Sequence, residues 1–222
     1  MINRRHFVIG AGGMLISPWL GGRAIAGGTE ADPARAETRG MGSASPVIRV
    51  VGVGGGGCDI VERLRRDGLA GVDRTVLIDR STERRLLDVP VEAGVDRELT
   101  PADAAAIWNV IQGTGIVILV AGLGGMTATR IAPLVAKSAR AAGAIVVALV
   151  TEPFAFEGRR SEVAARGIRL MAEASDRMIR FSNEEHLKRA DESATILSVY
   201  DQINTEIVLR LRDAISKSSA AA

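Results

Sequence analysis

Cysteine is all but missing from this sequence: Cys58 stands alone among 222 residues. No intrachain disulfide and no cysteine-rich zinc site can be built from it. Histidine is nearly as scarce, with only His6 and His186, which excludes a histidine-based metal cluster. Aromatic residues make up 3% of the chain, too few for a surface that works by stacking on bases. Neither sign of charge dominates. The 28 basic and 26 acidic side chains leave a net charge of +2. No dense basic run accompanies the pI near 9.1, so nucleic acid is not expected as a partner. Glycine is what the chain has in excess, 25 of 222 residues, or about 11% against an average of about 7%. With 47% hydrophobic and 24% charged residues, the composition excludes a disordered, collagen-like or disulfide-stapled chain. The length suits one domain or a little more.

Residues 1–26 read as a targeting segment to be set aside before the fold. Arg4 and Arg5 precede an apolar stretch, Phe7–Leu20, that contains Pro18. This stretch is shorter than the roughly 20 residues of a membrane-spanning helix, so no transmembrane helix is expected. Ala24-Ile25-Ala26 offers a small-x-small cleavage site. The run from Asn3 to Ile9 is similar to a twin-arginine export signal, without the usual Ser or Thr before the arginines or the Lys after the apolar pair. A start at Met41 is the competing reading. Residues 27–46, rich in Gly, Ala, Ser and charge without periodicity, read as a disordered linker. The globular body is expected over 47–216, with 217–222 as a tail.

Within the body, apolar runs of strand length alternate with helical periodicity. Strands are expected at Val47–Val53, Thr75–Ile78, Gly115–Val120, Ala144–Val150 and Met178–Phe181. Helices are expected after Gly57, then over Pro101–Gln112 with Thr100 as N-cap. Further helices fall over Thr127–Ala142, Ser161–Ser175 and Ser193–Ser216, with Thr151–Arg160 as a loop. Continuous apolar strands alternating with helices predict an α/β fold of three layers, a parallel sheet covered on both faces. Ligands of such sheets bind beyond the C-terminal strand ends. Both glycine clusters fall there.

The first cluster, Gly52 to Gly57, fits G-x-G-x-x-G between a strand and a helix. Glycine permits positive φ and close backbone approach, and the helix N-terminus presents N–H groups to an anion. Asp79 near the end of the second strand stands where a dinucleotide enzyme keeps its ribose carboxylate. An NAD-dependent oxidoreductase is therefore one reading, and a glycine turn serving only strand–helix packing is another. Cys58, just inside the helix, has no neighbouring base in the sequence and reads as a small packing residue. The second cluster, Ala121 to Pro133, is another glycine-rich strand-to-helix turn, which a single-dinucleotide enzyme does not need. His186 stands alone as a candidate acid or base.

These segments, with Val150-Thr151-Glu152-Pro153-Phe154-Ala155-Phe156-Glu157-Gly158-Arg159-Arg160, resemble the FtsZ/tubulin family. Its first glycine loop corresponds to Gly54, Gly55, Gly56 and Gly57. Its signature loop Gly-Gly-Gly-Thr-Gly-Thr-Gly corresponds to Gly124–Arg130 without a gap. Its Thr-Lys-Pro-Phe-x-Phe-Glu-Gly-Arg-Arg segment corresponds to Thr151–Arg160, with Glu152 in place of Lys. The resemblance spans about 47–216 and implies the Rossmann-like nucleotide-binding domain of that family, with GTP or GDP as ligand and magnesium beside it. It implies phosphate contacts at Gly55, Gly56, Gly124, Gly125, Thr127 and Thr129, ribose-side contacts at Glu157 and Arg159, and base contacts at Asn183, Tyr200 and Asn204.

The departures are also legible. Met126, Ala128 and Arg130 stand where the family has glycine, and a β-carbon at a positive-φ position costs about 1 kcal/mol or more. Asp59 replaces an Asn beside the first loop, and Ile78-Asp79-Arg80 replaces an Asn-Thr-Asp. The family's later loop, Asn-x-Asp-x-x-Asp, and its second domain have no counterpart in the sequence. The resemblance therefore implies a guanine-nucleotide-binding relative in cell division or filament and membrane remodelling, with weak or no GTP hydrolysis of its own. Self-association, or docking onto full-length FtsZ as a cap that receives the missing carboxylates in trans, is the expected partnership. The export signal points to the periplasm and GTP to the cytoplasm, and the two expectations stand against each other.

Overall fold

Runs such as Ile48–Val53, Ile116–Gly122 and Ile145–Glu152 have almost no polar face to offer water, so each must be covered on both sides. The computed structural model, which describes residues 46–80, 88–91 and 99–220, places them side by side at the centre of a sheet. The export segment and all but the last residue of the linker lie outside the described residues. In chain order the elements are β1 (Ile48–Val53), α1 (Gly54–Asp67), β2 (Arg74–Arg80), β3 (Val89–Val91), α2 (Pro101–Ile111) and β4 (Ile116–Gly122). They continue as α3 (Met126–Ala141), β5 (Ile145–Glu152), α4 (Arg159–Ala174), β6 (Arg177–Ser182), α5 (Asn183–Arg189) and α6 (Ile196–Ala220). The strand order is β3-β2-β1-β4-β5-β6, and every pairing is parallel.

One apolar layer joins the sheet to α2, α3 and α4 through residues such as Ile107, Val135 and Met171. The other joins it to α1 and α6 through Ile60, Leu64, Ile203 and Ile207. This is the three-layer α/β arrangement expected. From β1 the chain builds outward to β2 and β3; from β4 it builds the opposite way to β5 and β6. The reversal makes the β1–β4 boundary a topological switch point, where the connections diverge and leave a crevice at the C-terminal strand ends. Among the described residues no helix is long and apolar enough to cross a membrane.

Local chemistry explains the boundaries. Thr100 caps α2: its side chain accepts the Asp103 N–H and the Asp103 carboxylate accepts the Thr100 N–H, each at 3.1 Å, with Pro101 at the first helical position. Two elements escape the sequence pattern. β3 has three residues, one of them Pro90, too short to show a period. α5 is a seven-residue polar segment, Asn-Glu-Glu-His-Leu-Lys-Arg, with no apolar stripe. It is started by Ser182, whose side chain accepts the Glu185 N–H at 3.3 Å. The expected loop over 151–160 is shorter than its composition suggests. β5 continues to Glu152, a 3₁₀ turn occupies Ala155–Glu157, and α4 begins at Arg159.

α1 is pressed against β4 by glycine. A β-carbon on Gly57 would lie 2.3 Å from the Val120 carbonyl oxygen, and one on Gly52 would lie 2.6 Å from the Gly57 oxygen. The Cys58 thiol points inward, 3.6 Å from the carbonyl oxygens of Gly52 and Ile78, a packing role. Gly57→Ala should therefore destabilise the fold by about 1–3 kcal/mol, the usual range for overpacking, measured as a lower urea midpoint.

The β2–β3 edge is clamped by Asp88, which accepts the Leu77 N–H at 2.8 Å and pairs with Arg65 and Arg74. Burial pushes its carboxyl up, but the Leu77 N–H and the two guanidiniums outweigh this and hold it below its ordinary value of 3.8. A depressed carboxyl stabilises the fold fully above its ordinary value and loses that contribution as pH falls through the native one. Asp88→Asn should thus lower stability at neutral pH and flatten the loss below about pH 4, as read from denaturation midpoints across pH.

Candidate functional site

At the switch point both chain reversals depend on glycine. β1 enters α1 through Gly54, at φ +71°, where a β-carbon would come within 3.0 Å of the Ala128 nitrogen and side chain. β4 enters α3 through Gly124, at φ +93°, where a β-carbon would lie 2.8 Å from the Arg160 carbonyl oxygen. The second turn is fixed by its own helix: the buried Thr129 hydroxyl accepts the Gly124 N–H at 2.9 Å.

The N-termini of α1 and α3 consequently open onto one cleft. Neither N-cap residue, Val53 or Gly125, supplies a side-chain cap, and neither first turn holds an acidic residue. The first N–H groups of a helix have no intrahelical acceptor, and with the helix dipole they favour an anion. The cleft has a volume of about 210 Å³. Gly54, Gly55 and Gly56 form one wall and Gly125, Met126 and Thr127 the other.

The far end is built from side chains. Phe154, fully buried, packs edge-on to Tyr200 with centroids 5.1 Å apart and stacks on the exposed Phe156 at the same spacing. Glu157 accepts the Phe154 N–H at 2.9 Å and pairs with Arg160. The Tyr200 hydroxyl donates to the same carboxylate at 3.5 Å. Burial, and then the Glu157 charge, push the Tyr200 hydroxyl above its ordinary pKa. Asn183 is 3% exposed, lines the cleft, and its Oδ1 has no hydrogen-bond partner. A buried acceptor without a donor costs about 1–3 kcal/mol, and here the unmet valence belongs to a cleft residue.

Of the residues singled out from sequence, Gly54, Gly55, Gly56, Gly125, Thr127, Glu157, Asn183 and Tyr200 come together around this cleft. Gly57, Gly124 and Thr129 stand behind its walls and shape them. Arg159 begins α4 in solvent and Asn204 lies half-buried on α6, both outside the lining. Arg160 lines the cleft instead, and its i,i+3 spacing from Glu157 was the signal for it. Leu123, Thr151 and Pro153 also line the cleft; they lie inside the second glycine cluster and the Thr151–Arg160 segment, but the resemblance assigns them no ligand contact. Met126, Ala128 and Arg130 carry no positive-φ strain: all three lie within α3, where helical φ is negative. Asp79 is nearly buried at the end of β2, its carboxylate accepting the Arg80 N–H at 2.8 Å.

The model of the Tubulin/FtsZ family, GTPase domain, matches residues 89–191, a stretch that carries the second glycine turn and the Thr151–Arg160 segment. The chain belongs to the tubulin/FtsZ family. Cell division protein FtsZ of Pseudomonas putida is 36% identical over 173 residues, covering 70% of this chain and 44% of that protein. The FtsZ of Azotobacter vinelandii is 38% identical over the same length and coverage. This chain thus spans less than half the length of these relatives. The structure of an empty FtsZ dimer from M. jannaschii superposes with a TM-score of 0.67 at 25% identity, over 79% of this chain and 56% of that one. CetZ from Methanosaeta thermophila, at 23% identity and a TM-score of 0.60 over 77% of this chain and 54% of that one, shares the fold.

The hydroxyl of Thr129 is the part of this FtsZ-like turn that is open to a clean test. Thr129→Val should lower stability by about 1–3 kcal/mol, because the Gly124 N–H is left without its acceptor. Thr129→Ser should recover most of the loss, and chemical denaturation of the two variants reads the difference.

Proposed function

We propose that the cleft binds a guanine nucleotide, GTP or GDP, with its phosphates over the N-termini of α1 and α3 and its base against Tyr200 and Asn183. The observation that carries this reading is the pairing of two uncapped, glycine-opened helix N-termini with an unpartnered buried acceptor, Asn183 Oδ1, in one cleft. The first feature suits a polyanion. The second suits guanine, whose N1–H and amino group are adjacent donors on one edge, whereas the corresponding ring nitrogen of adenine is an acceptor. Backbone at Gly54–Gly56 and Gly125, with the Thr127 hydroxyl, would hold phosphate. Glu157 and Arg160 would face the ribose.

Hydrolysis by this cleft alone is weak or absent in this reading. Glu157 is the carboxylate among the lining residues, and it is already engaged by the Phe154 N–H, Arg160 and Tyr200. No general base is left to activate water. Among the described residues no group of three His, Cys, Asp or Glu side chains could hold a metal ion. A magnesium ion would take its ligands chiefly from phosphate and water, as is common for this ion. The relatives named as cell division proteins support a role in division-related assembly, by self-association or by docking on full-length FtsZ.

Isothermal titration of the full chain with GTP, GDP, ATP and NAD tests the reading. GTP and GDP should bind, with ATP and NAD at least tenfold weaker. Tyr200→Ala and Asn183→Ala should each weaken GTP by tenfold or more. Equal affinity for GTP and ATP would remove the base assignment, and binding of NAD alone would replace it with a dinucleotide site.

A further inference from the structure

α3 and α4 lie side by side over one face of the sheet, and their outer surface differs from the rest of the molecule. α3 contains three Lys or Arg and no Asp or Glu; α4 contains four Arg and two Glu. The whole chain carries only +2, so positive charge is concentrated on these two helices. Arg140 is tied to Asp176 and Arg160 to Glu157. Lys137, Arg159, Arg166 and Arg169 are exposed and take no ion partner among the described residues.

Among these cations stand two leucines that solvent reaches, Leu134 at 38% and Leu170 at 43% exposure. The helices run parallel, and two contacts set their register. A β-carbon on Gly167 of α4 would touch the Thr129 side chain of α3, and Arg140 of α3 donates to the Glu173 carbonyl oxygen of α4 at 3.1 Å. Interpolating between these contacts brings Leu134 level with Leu170. The outer face is therefore an apolar ridge flanked by unpaired Lys and Arg on two rigid helices.

We infer that the α3–α4 face is a docking surface for an anionic phospholipid membrane. Lys and Arg close to an anionic leaflet are each attracted to it, and the attraction falls off within a Debye length. Leu side chains projecting beyond the cations enter the headgroup–acyl boundary, as on the apolar side of interfacial helices. A nucleic acid would use the charge but leave the leucines unsatisfied, and neither helix carries an aromatic residue to stack on bases. The face lies on the layer of α2, α3 and α4, and the inference does not rest on the nucleotide reading.

The test is co-sedimentation of the full chain with large unilamellar vesicles of equimolar phosphatidylglycerol and phosphatidylcholine, against vesicles of phosphatidylcholine alone. The protein should pellet with the anionic vesicles, less so at high salt, and at least tenfold more weakly with phosphatidylcholine. Arg166→Glu with Arg169→Glu should weaken anionic-vesicle binding at least tenfold, and Leu134→Ser with Leu170→Ser at least threefold. Arg66→Glu, on α1 in the opposite layer, should leave it unchanged. Residues 1–45 are present in every variant and cannot produce a difference between them. If the first pair fails to fold by circular dichroism, Lys137→Glu with Arg159→Glu reads the same face. Equal pelleting of wild type and charge-reversed variants overturns the inference, as does equal loss with Arg66→Glu. Retention on polyglutamate or duplex DNA without vesicle binding overturns it as well, and assigns the face to an acidic macromolecule.

Discussion

Where α1 crosses the end of the sheet, its backbone lies so close to that of β4 that no β-carbon fits between them, and the shape of the candidate site follows from that approach. The contact of Gly57 with the Val120 oxygen seats the helix. The left-handed turn at Gly54 lets the chain leave β1 and begin α1 without an intervening loop. With α1 so near, the start of α3 becomes its neighbour across the switch point, and the positive ends of two helix dipoles share one opening. Neither dipole end would be concentrated there if a longer connection let the helices splay apart.

The opposite end of the cleft is made differently. There the backbone contributes little, and Phe154, Tyr200, Glu157, Arg160 and Asn183 hold one another through ring contacts and hydrogen bonds. Glu157 is the hub, since it receives a backbone N–H, a guanidinium and a phenol. The Asn183 oxygen is left over from this network. A ligand donor that reached it would satisfy an acceptor that no protein group meets, and would thereby add to the stability of the fold.

The features legible in the sequence are those that rest on period or on backbone necessity. β1, β4 and β5 are legible because both faces are apolar, and the glycine clusters because positive φ and close approach leave few alternatives. α2 is legible from Thr100 and Pro101. Illegible features depend on partners distant in sequence. β3 exists because β2 offers it an edge and Asp88 ties the two together. α5 is polar throughout and is held by its Ser182 cap and by packing on α6. The choice of Arg160 over Arg159 depends on the first turn of α4, where a shift of one residue turns a side chain by about 100°.

The difference between Gly124 and its successors also bears on how such a loop changes over generations. Gly54 and Gly124 occupy left-handed backbone, and Gly57 meets a carbonyl, so nearly every nucleotide change that alters these codons meets a folding penalty at once. Met126, Ala128 and Arg130 belong to a helix, where a side chain replaces glycine with a gain in helix propensity rather than a loss. Drift away from a glycine-rich signature is thus permitted at alternate positions and blocked at the turn itself. A lineage can shed much of the familiar motif by this route while its descendants continue to build the same cleft.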